Sequence, residues 1–271
     1  MTHETTVSAT RWGTIPGKWV DGEGWIGEWM TIGGETWFSR IHPDGDPDLP
    51  PIVMVHGLVV SGTYFRPIAR IMGHRYRIYV PDLPGYGHSD SSRMWTMPSL
   101  VTQLATWMDA HHLSGAVIVA NSLGVQMSTL LATTRPDLVR SLILIGPTRD
   151  PDVSGPVQLM LRGLKDIPRE RQSLWSIWIP DLLRAGLRRS LFMLGQLFAD
   201  NQLARLGDVR QRVLVVGGER DPIAPAHWVR DLASRVPRGE ALIVRNASHA
   251  MNYSDAVEMA TAIDRAIDLP I

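Results

Sequence analysis

The fold is decided by residues 116–125, which read Ala-Val-Ile-Val-Ala-Asn-Ser-Leu-Gly-Val. The run over 116–120 is continuous, apolar and β-branched, which is typical of a strand buried on both faces of a sheet. Ser122 then precedes a helix-compatible stretch and has small residues two positions away, Ala120 and Gly124. This spacing predicts a sharp strand-to-helix turn that projects the serine hydroxyl clear of the sheet. A serine that enters a helix is also commonly an N-cap, so capping is the alternative role of Ser122.

Similar apolar runs recur along the chain and predict a parallel sheet. They lie at residues 52–55, 77–80, 116–120, 142–145, 213–216 and 241–244. Most intervals between them are long enough for one crossover helix, and the helical candidates are residues 98–111, 122–134 and 225–236. Because strands alternate with helices, the sequence predicts an α/β fold with a mostly parallel, doubly wound sheet.

An antiparallel hairpin is predicted before the first of these strands. Residues 25–31 and 35–41 flank Gly33-Gly34, a dipeptide that suits a tight hairpin turn. Large aromatic rings usually build the walls of a core, so we expect the nearby tryptophans to pack this hairpin. Five of the ten tryptophans fall in this region: Trp12, Trp19, Trp25, Trp29 and Trp37.

One long interval interrupts the alternation of strands and helices. Residues 148–208 contain no convincing strand, although a connection in an α/β unit usually takes only a few residues. The interval is rich in Leu, Met and Trp, and its prolines at 156, 168 and 180 predict several short amphipathic helices. Ligands of open α/β sheets bind beyond the carboxyl ends of the strands, which favours a helical cap over mere padding of the fold. The predicted domains are a core made of residues 1–147 and 209–271 and a cap made of residues 148–208.

A serine hydroxyl needs a neighbouring base to react, normally a histidine that is oriented by a carboxylate. His249 lies in the loop after the last predicted strand, and Asp221 lies in the loop after the strand before it. We expect these loops to adjoin each other and to bring both side chains to Ser122. Two competing carboxylates remain open at this point: Glu219 in the same loop, and Asp150 after the preceding strand.

Three further segments make the chain resemble the α/β-hydrolase superfamily. They are Val-Met-Val-His-Gly at 53–57, Pro-Asp-Leu-Pro-Gly-Tyr-Gly-His-Ser at 81–89 and Gly-Glu-Arg-Asp-Pro at 218–222. The resemblance extends from about residue 25 to the C-terminus, and the order Ser…Asp…His is the one described for this superfamily. It implies an α/β-hydrolase fold in which Ser122, Asp221 and His249 form a catalytic triad.

The resemblance also implies roles for residues around the triad. The backbone N–H groups of Leu58 and Leu123 would form an oxyanion hole, and His56 would shape the loop before it. Asp82 would have a structural role in a turn. Asn-Ser-Leu-Gly at 121–124 resembles the Asn-Ser-Met-Gly of carbon–carbon bond hydrolases that cleave ring-fission products.

The leading hypothesis is a cofactor-independent serine hydrolase that cleaves a carboxylic ester, or a lactone, through an acyl-enzyme. We expect a small, apolar substrate, and the pocket candidates are Val59, Val60, Trp175 and Trp178. Carbon–carbon cleavage of ring-fission diketones and cofactor-free perhydrolysis are alternatives that would use the same triad. A further alternative is a ligand-binding module in which the hydrolase scaffold has lost its activity.

The composition narrows the partners and sites of the protein. The 27 Lys and Arg residues offset the 27 Asp and Glu residues, and this neutrality disfavours a broad nucleic-acid-binding surface. The chain has no cysteine, which excludes disulfides, thiolate metal sites and a cysteine nucleophile, and we expect no metal and no cofactor. The N-terminal residues do not match a signal peptide, and no apolar stretch reaches the roughly 18–20 residues of a membrane span, so a cytoplasmic location is expected. The sequence leaves the oligomeric state open.

Overall fold

One sheet organises the part of the chain that the computed structural model describes, residues 18–20 and 24–268, with side chains from residue 24 onward. Its strand order is β1-β2-β3-β5-β4-β6-β7-β8-β9. The strands are β1 (Lys18–Val20), β2 (Ile26–Ile32), β3 (Glu35–His42), β4 (Ile52–Val55), β5 (Ile78–Asp82), β6 (Ala116–Asn121), β7 (Val139–Ile145), β8 (Arg212–Gly218) and β9 (Gly239–Val244). Strands β4 to β9 are parallel, and β1 to β3 join the sheet in antiparallel pairs. The mostly parallel α/β sheet predicted from the sequence is therefore confirmed.

Helices cover both faces of the sheet. Along β6, Ile118 belongs to one apolar cluster, whereas Val117 and Val119 belong to the other, so successive side chains are buried on opposite faces. The first cluster includes residues of α2, α3 and α7, and the second includes residues of α1 and α9. The helices are α1 (Arg66–Met72), α2 (Met97–Ala110), α3 (Leu123–Thr134), α4 (Pro156–Asp166), α5 (Trp175–Ala199), α6 (Gln202–Arg205), α7 (Ala226–Ser234), α8 (Met251–Ser254) and α9 (Ala256–Asp268). This arrangement explains why the strands read as continuous apolar runs.

The predicted N-terminal hairpin is present as β2 and β3, which pair in antiparallel register around Gly33 and Gly34. Both glycines have positive φ angles, which an L side chain adopts only with strain. Trp37 of this hairpin is fully buried and stacks on Trp107 of α2 at 6.2 Å between ring centroids. The expected packing of Trp12, and of the Trp19 side chain, lies outside the described residues.

Residues 148–208 contain helices and no strand, but their helices are not divided as predicted. Pro156 begins α4, whereas α5 continues through Pro180, so the prediction of a helix break at this proline is wrong. The φ angle of proline suits a helix, and the ring removes only one hydrogen bond. The break lies instead at Gly186, whose φ of 73° and ψ of 155° are not helical. Between residues 24 and 268, no helix combines the length and apolarity that crossing a membrane requires.

Candidate active site

Ser122 occupies the turn between β6 and α3 with an unusual backbone conformation, φ 57° and ψ −118°. A positive φ is rare for a residue with a side chain and is found where surrounding structure holds the strain. Its side chain makes no capping hydrogen bond to α3, so the capping alternative is wrong. The small residue at position 124 is explained by the close approach of the backbone. A Cβ on Gly124 would lie 2.4 Å from the carbonyl oxygen of Val55.

His249 and Asp221 meet as the sequence predicts. The ring Nδ1 of His249 lies 2.8 Å from Oδ2 of Asp221 and donates to it when this nitrogen carries the proton. The other carboxylate oxygen of Asp221 accepts the backbone N–H groups of Ile223 and Ala224, at 2.7 and 2.9 Å. These three bonds fix the carboxylate in a buried position, from which it can hold one tautomer of the imidazole.

The two competing carboxylates have other partners. Glu219 accepts the backbone N–H of Asn246 at 3.0 Å. Asp150 forms an ion pair with Arg162, with 2.6 Å between Nη1 and Oδ2. Of the three candidate acids, Asp221 is the one that the fold joins to His249.

The charge around His249 favours its protonated form. Burial alone would lower the pKa of His249, but the negative charge and hydrogen bond of Asp221 outweigh it, and Asp166 and Glu170 add to the effect. Together these groups raise the pKa of His249 to about 9. Sequence reasoning missed Asp166 and Glu170, which lie in the helical segment 148–208, because no motif marks them.

His56 holds the loop after β4 in place. This fully buried ring accepts the backbone N–H of Leu83 through Nε2 at 2.9 Å and contacts the carbonyl oxygen of Gly57 through Nδ1 at 2.9 Å. Burial lowers the pKa of His56, which keeps the ring neutral and able to serve both partners. Farther along the loop, Val59 has a φ of 58°. Strained residues gather at functional sites, and this one directly follows Leu58.

Asn121 connects this loop with the histidine loop. Its Nδ2 donates to the carbonyl oxygen of His249 at 3.2 Å, and its Oδ1 accepts the hydroxyl of Tyr64 at 2.9 Å. The same Tyr64 oxygen accepts the backbone N–H of Gly57 at 3.1 Å. The residue before Ser122 thus ties both flanking loops to the turn. A polar residue at the end of an otherwise apolar strand was the available signal, and sequence reasoning did not use it.

A model of the alpha/beta hydrolase family matches residues 52–262.

The chain belongs to the alpha/beta hydrolase family.

Relatives and solved structures agree with this membership. A pimeloyl-[acyl-carrier protein] methyl ester esterase from Xanthomonas campestris is 28% identical over 246 residues, which cover 80% of this chain and 95% of the relative. The fold also matches a thermophilic esterase from Thermogutta terrifontis, with a TM-score of 0.74, 18% identity and 90% and 99% of the two chains covered. An enol-lactonase from Burkholderia xenovorans LB400 matches with a TM-score of 0.73, 18% identity and 88% and 98% coverage.

Asp82 of this alpha/beta hydrolase lies at the end of β5 and not in a turn, so that part of the prediction is wrong. Its buried carboxylate pairs with Arg40 at 2.7 Å and accepts the backbone N–H groups of Gly62 and His88. Burial alone would raise the pKa of Asp82, but Arg40 and the hydrogen bonds lower it. These contacts join β3, β5 and the loop after β4, which is the structural role that the resemblance implies.

The pocket candidates lie on two elements that contact each other. Val60 is buried in the core, and Val59 precedes it in the loop. Trp175 and Trp178 are on α5, with their ring centroids 5.6 Å apart in an edge-to-face contact. Asp181 of the same helix accepts the backbone N–H of Ser61 at 2.8 Å, which holds α5 against residues 58–60, the valine loop.

A second cluster of polar groups lies away from His249. Asp150, Asp152 and His227 bring three potential metal-ligand atoms within 4.8 Å of one another. Asp150 is already paired with Arg162, and His227 and Asp152 are exposed. Neutralisation by the arginine leaves this cluster poorly suited to a divalent cation.

Proposed function

We propose that this protein is a serine hydrolase that cleaves a carboxylic ester or a lactone, with Ser122, His249 and Asp221 as its triad. The observation that carries the proposal is the strained backbone of Ser122 at the end of a buried strand, in a chain that also joins His249 to Asp221 at 2.8 Å. Strain of this kind is retained where it presents a reacting group. Membership of the alpha/beta hydrolase family supports the same reading.

In the proposed reaction, Oγ of Ser122 attacks the ester carbonyl carbon while its proton passes to Nε2 of His249. The backbone N–H groups of Leu58 and Leu123 stabilise the oxyanion. When the intermediate collapses, His249 gives the proton to the leaving alcohol, and the acyl group remains on Ser122. His249 then takes a proton from water, whose oxygen attacks the acyl carbon, and returns it to Ser122 as the acid leaves. Asp221 holds the imidazole in the required tautomer throughout.

We further propose that residues 148–208 form a cap over a core made of residues 1–147 and 209–271. Two contacts support this assignment. Asp181 of α5 accepts the N–H of Ser61 after the valine loop, and Glu170 accepts the N–H of Ala250 after His249. The helical segment is thus bonded to both loops that flank Ser122, which is where a cap would close over a substrate.

The substrate class follows from the pocket candidates and from the relatives. Val59, Val60, Trp175 and Trp178 are apolar, so we propose an uncharged, apolar small-molecule ester. The Xanthomonas campestris relative is named for a methyl ester, which supports a small alcohol as the leaving group. An enol-lactonase is among the structural neighbours with the same fold, so a lactone is included among the substrates to be tested.

The proposal is tested by steady-state kinetics with p-nitrophenyl esters, a lactone and a ring-fission diketone. We expect ester or lactone turnover that Ser122→Ala reduces by at least about 10⁴-fold in kcat. Ser128→Ala is the matched control, because Ser128 is a buried serine on α3 whose Oγ has no hydrogen-bond partner among the described residues. Faster cleavage of the diketone would assign carbon–carbon hydrolysis instead. No turnover of any substrate, with ligand affinity unchanged in Ser122→Ala, would assign a binding module.

A further inference from the structure

The peptide group between His249 and Ala250 is held at both of its ends. Its carbonyl oxygen, from His249, accepts Nδ2 of Asn121 at 3.2 Å. Its N–H, from Ala250, donates to Oε1 of Glu170 at 2.7 Å. Asn121 belongs to the sheet, whereas Glu170 belongs to the helical segment 148–208. The peptide group that follows the His249 side chain is therefore fixed by two separate parts of the molecule.

Glu170 holds more than one group of the histidine loop. Its second oxygen, Oε2, accepts the hydroxyl of Ser254, the last residue of α8, at 3.2 Å. Ala250 is the N-cap residue of this short helix and has no side chain that could cap it. The Glu170 carboxylate instead accepts the N–H of Ala250 itself, from a position 80 residues earlier in the chain. Both ends of the segment after His249 thus depend on one carboxylate.

Asp166, the last residue of α4, completes the arrangement. Its carboxyl group interacts with that of Glu170, and its buried Oδ1 has no hydrogen-bond partner among the described residues. Two neighbouring carboxyl groups can form a hydrogen bond with each other only when one of them carries a proton. Asp166 is 6% exposed, and burial together with Glu170 and Asp221 raises its pKa to about 8.

We propose that Asp166 and Glu170 form a proton-sharing carboxyl pair that positions His249 through the N–H of Ala250. The proposal rests on the proposed role of His249 as the base. Asp166 donates to Glu170 and fixes its orientation, and Glu170 fixes the peptide after His249. The pair lies on the helical segment, so this segment adds to the hold of Asn121 and Asp221 on the histidine while it is seated on the core. The pair also carries one negative charge, which acts on the imidazole.

Other charged groups face the pair from neighbouring elements. His249 and Asp221 come from the loops after β9 and β8. Asp255, between α8 and α9, interacts with Glu170 and with Arg171 of the helical segment, and Glu258 of α9 interacts with Asp255. The Coulomb interaction of Asp221 with His249 is present with or without the pair. Variants that alter the pair alone therefore isolate its contribution.

The experiment measures the second-order rate at which a fluorophosphonate labels Ser122, together with the melting temperature of each variant. Glu170→Ala and Asp166→Ala should slow labelling by about tenfold or more, because a displaced base loses its alignment with the serine. Asp166→Asn keeps a donor toward Glu170 and should restore most of the rate lost in Asp166→Ala. Glu258→Ala, which removes an exposed carboxylate of α9 outside the pair, is the control and should label at the wild-type rate.

The double variant Asp166→Asn/Glu170→Gln distinguishes an effect of the pair on His249 from a general effect on folding. It keeps the size and the hydrogen bonds of the pair but removes its negative charge. The midpoint of the pH–rate profile should therefore move to lower pH than in the wild type, because less negative charge stabilises the imidazolium. An unmoved midpoint, or wild-type labelling in both alanine variants, would overturn the proposal. If wild-type Ser122 itself is not labelled, the proposed function fails first, and the two failures are distinguishable.

Discussion

Gly146 leaves room for the imidazole of His249. A Cβ at this position would lie 2.8 Å from Cε1 and 2.9 Å from Nδ1 of the ring, and the φ of Gly146 is 56°. Gly146→Ala should lower kcat/KM by about tenfold or more by displacing the base. The positive φ should also cost about 1–2 kcal/mol in the free energy of unfolding. Steady-state kinetics and urea unfolding measure the two effects.

Gly163→Ala is the matched control for this change. Gly163 lies in α4, and a Cβ there would meet nothing within 4 Å. Alanine should raise the free energy of unfolding by up to about 1 kcal/mol and leave kcat/KM unchanged. Equal kinetics for Gly146→Ala and Gly163→Ala would contradict the position assigned to His249.

The choice of acid is tested by two asparagine variants. Asp221→Asn should reduce kcat by about 10⁴-fold, because the amide no longer holds the tautomer in which Nε2 can accept a proton. Asp150→Asn weakens the ion pair with Arg162 and should leave kcat within about threefold of the wild type, since the carboxylate hydrogen-bonded to His249 is that of Asp221. The opposite ranking in steady-state kinetics would identify Asp150 as the acid.

Single residues differ in how far the sequence predicts them. Ser122, Asp221 and His249 are predictable because each lies in the turn or loop after a recognisable strand, and the carboxyl ends of parallel strands meet at one edge of the sheet. Asp166 and Glu170 lie in a segment without such a register, so their approach to His249 depends on how the helices pack. No local pattern carries that information.

The contact between α5 and the loop after β4 rests on Asp181, which accepts the N–H of Ser61. Burial raises the pKa of Asp181 to about 6, so its ionised form bears a cost on the order of 3 kcal/mol above that pH. Asp181→Asn keeps the acceptor and removes the charge, whereas Asp181→Ala leaves the N–H without its partner. At pH 8, we expect the asparagine variant to be more stable than the alanine variant by about 1–3 kcal/mol in urea unfolding.

The same pair of variants reports on the valine loop. Asp181→Ala should also lower kcat/KM more than Asp181→Asn, because the freed loop includes the proposed oxyanion donor of Leu58. Identical kinetics in the two variants would show that the contact of α5 does not determine the conformation of this loop.

Helix α5 illustrates the limits of prediction at the level of elements. Proline at 180 and glycine at 186 are both possible breaks in a helix, and the sequence favours the proline. The chain bends at Gly186, where the backbone reaches a φ of 73°. The helix continues through Pro180 and contacts the core through Asp181, and such tertiary contacts are not visible in a local pattern.

At the scale of the whole molecule, the sheet is the most predictable feature. Strand β4 has the predicted bounds, and the ends of the other predicted strands move by at most three residues, as in β7, which begins at Val139. Burial on both faces makes each parallel strand a continuous apolar run. The short strand β1 and helix α1 were not predicted, because elements of three and seven residues carry too little periodicity to be recognised.

Stability should depend on pH through the raised pKa values of His249 and Asp166. His249 titrates near 9 when folded and near 6.5 when unfolded, so its contribution is complete below about pH 6.5 and is lost as the pH rises through 9. Asp166 titrates near 8 when folded, so unfolding releases its proton above about pH 4, and stability falls as the pH rises toward 8. Both groups therefore lower the free energy of unfolding as the pH rises.

We therefore expect the free energy of unfolding to fall between pH 6 and 9 when measured in urea. Asp166→Asn should flatten this fall below about pH 8, because the variant has no carboxyl proton to release. A wild-type stability that rises over this interval, or an unaltered slope in Asp166→Asn, would contradict the charge arrangement around His249.

Ser122 is the proposed nucleophile, and mass spectrometry after treatment with a fluorophosphonate tests this role most directly. We expect one adduct per chain, mapped to the peptide that contains Ser122, and present in Ser128→Ala. The Ser122→Ala variant should carry none, although its fold is intact. An adduct on a different residue, or ester turnover by a protein whose Ser122 stays unmodified under complete inhibition, would contradict the account.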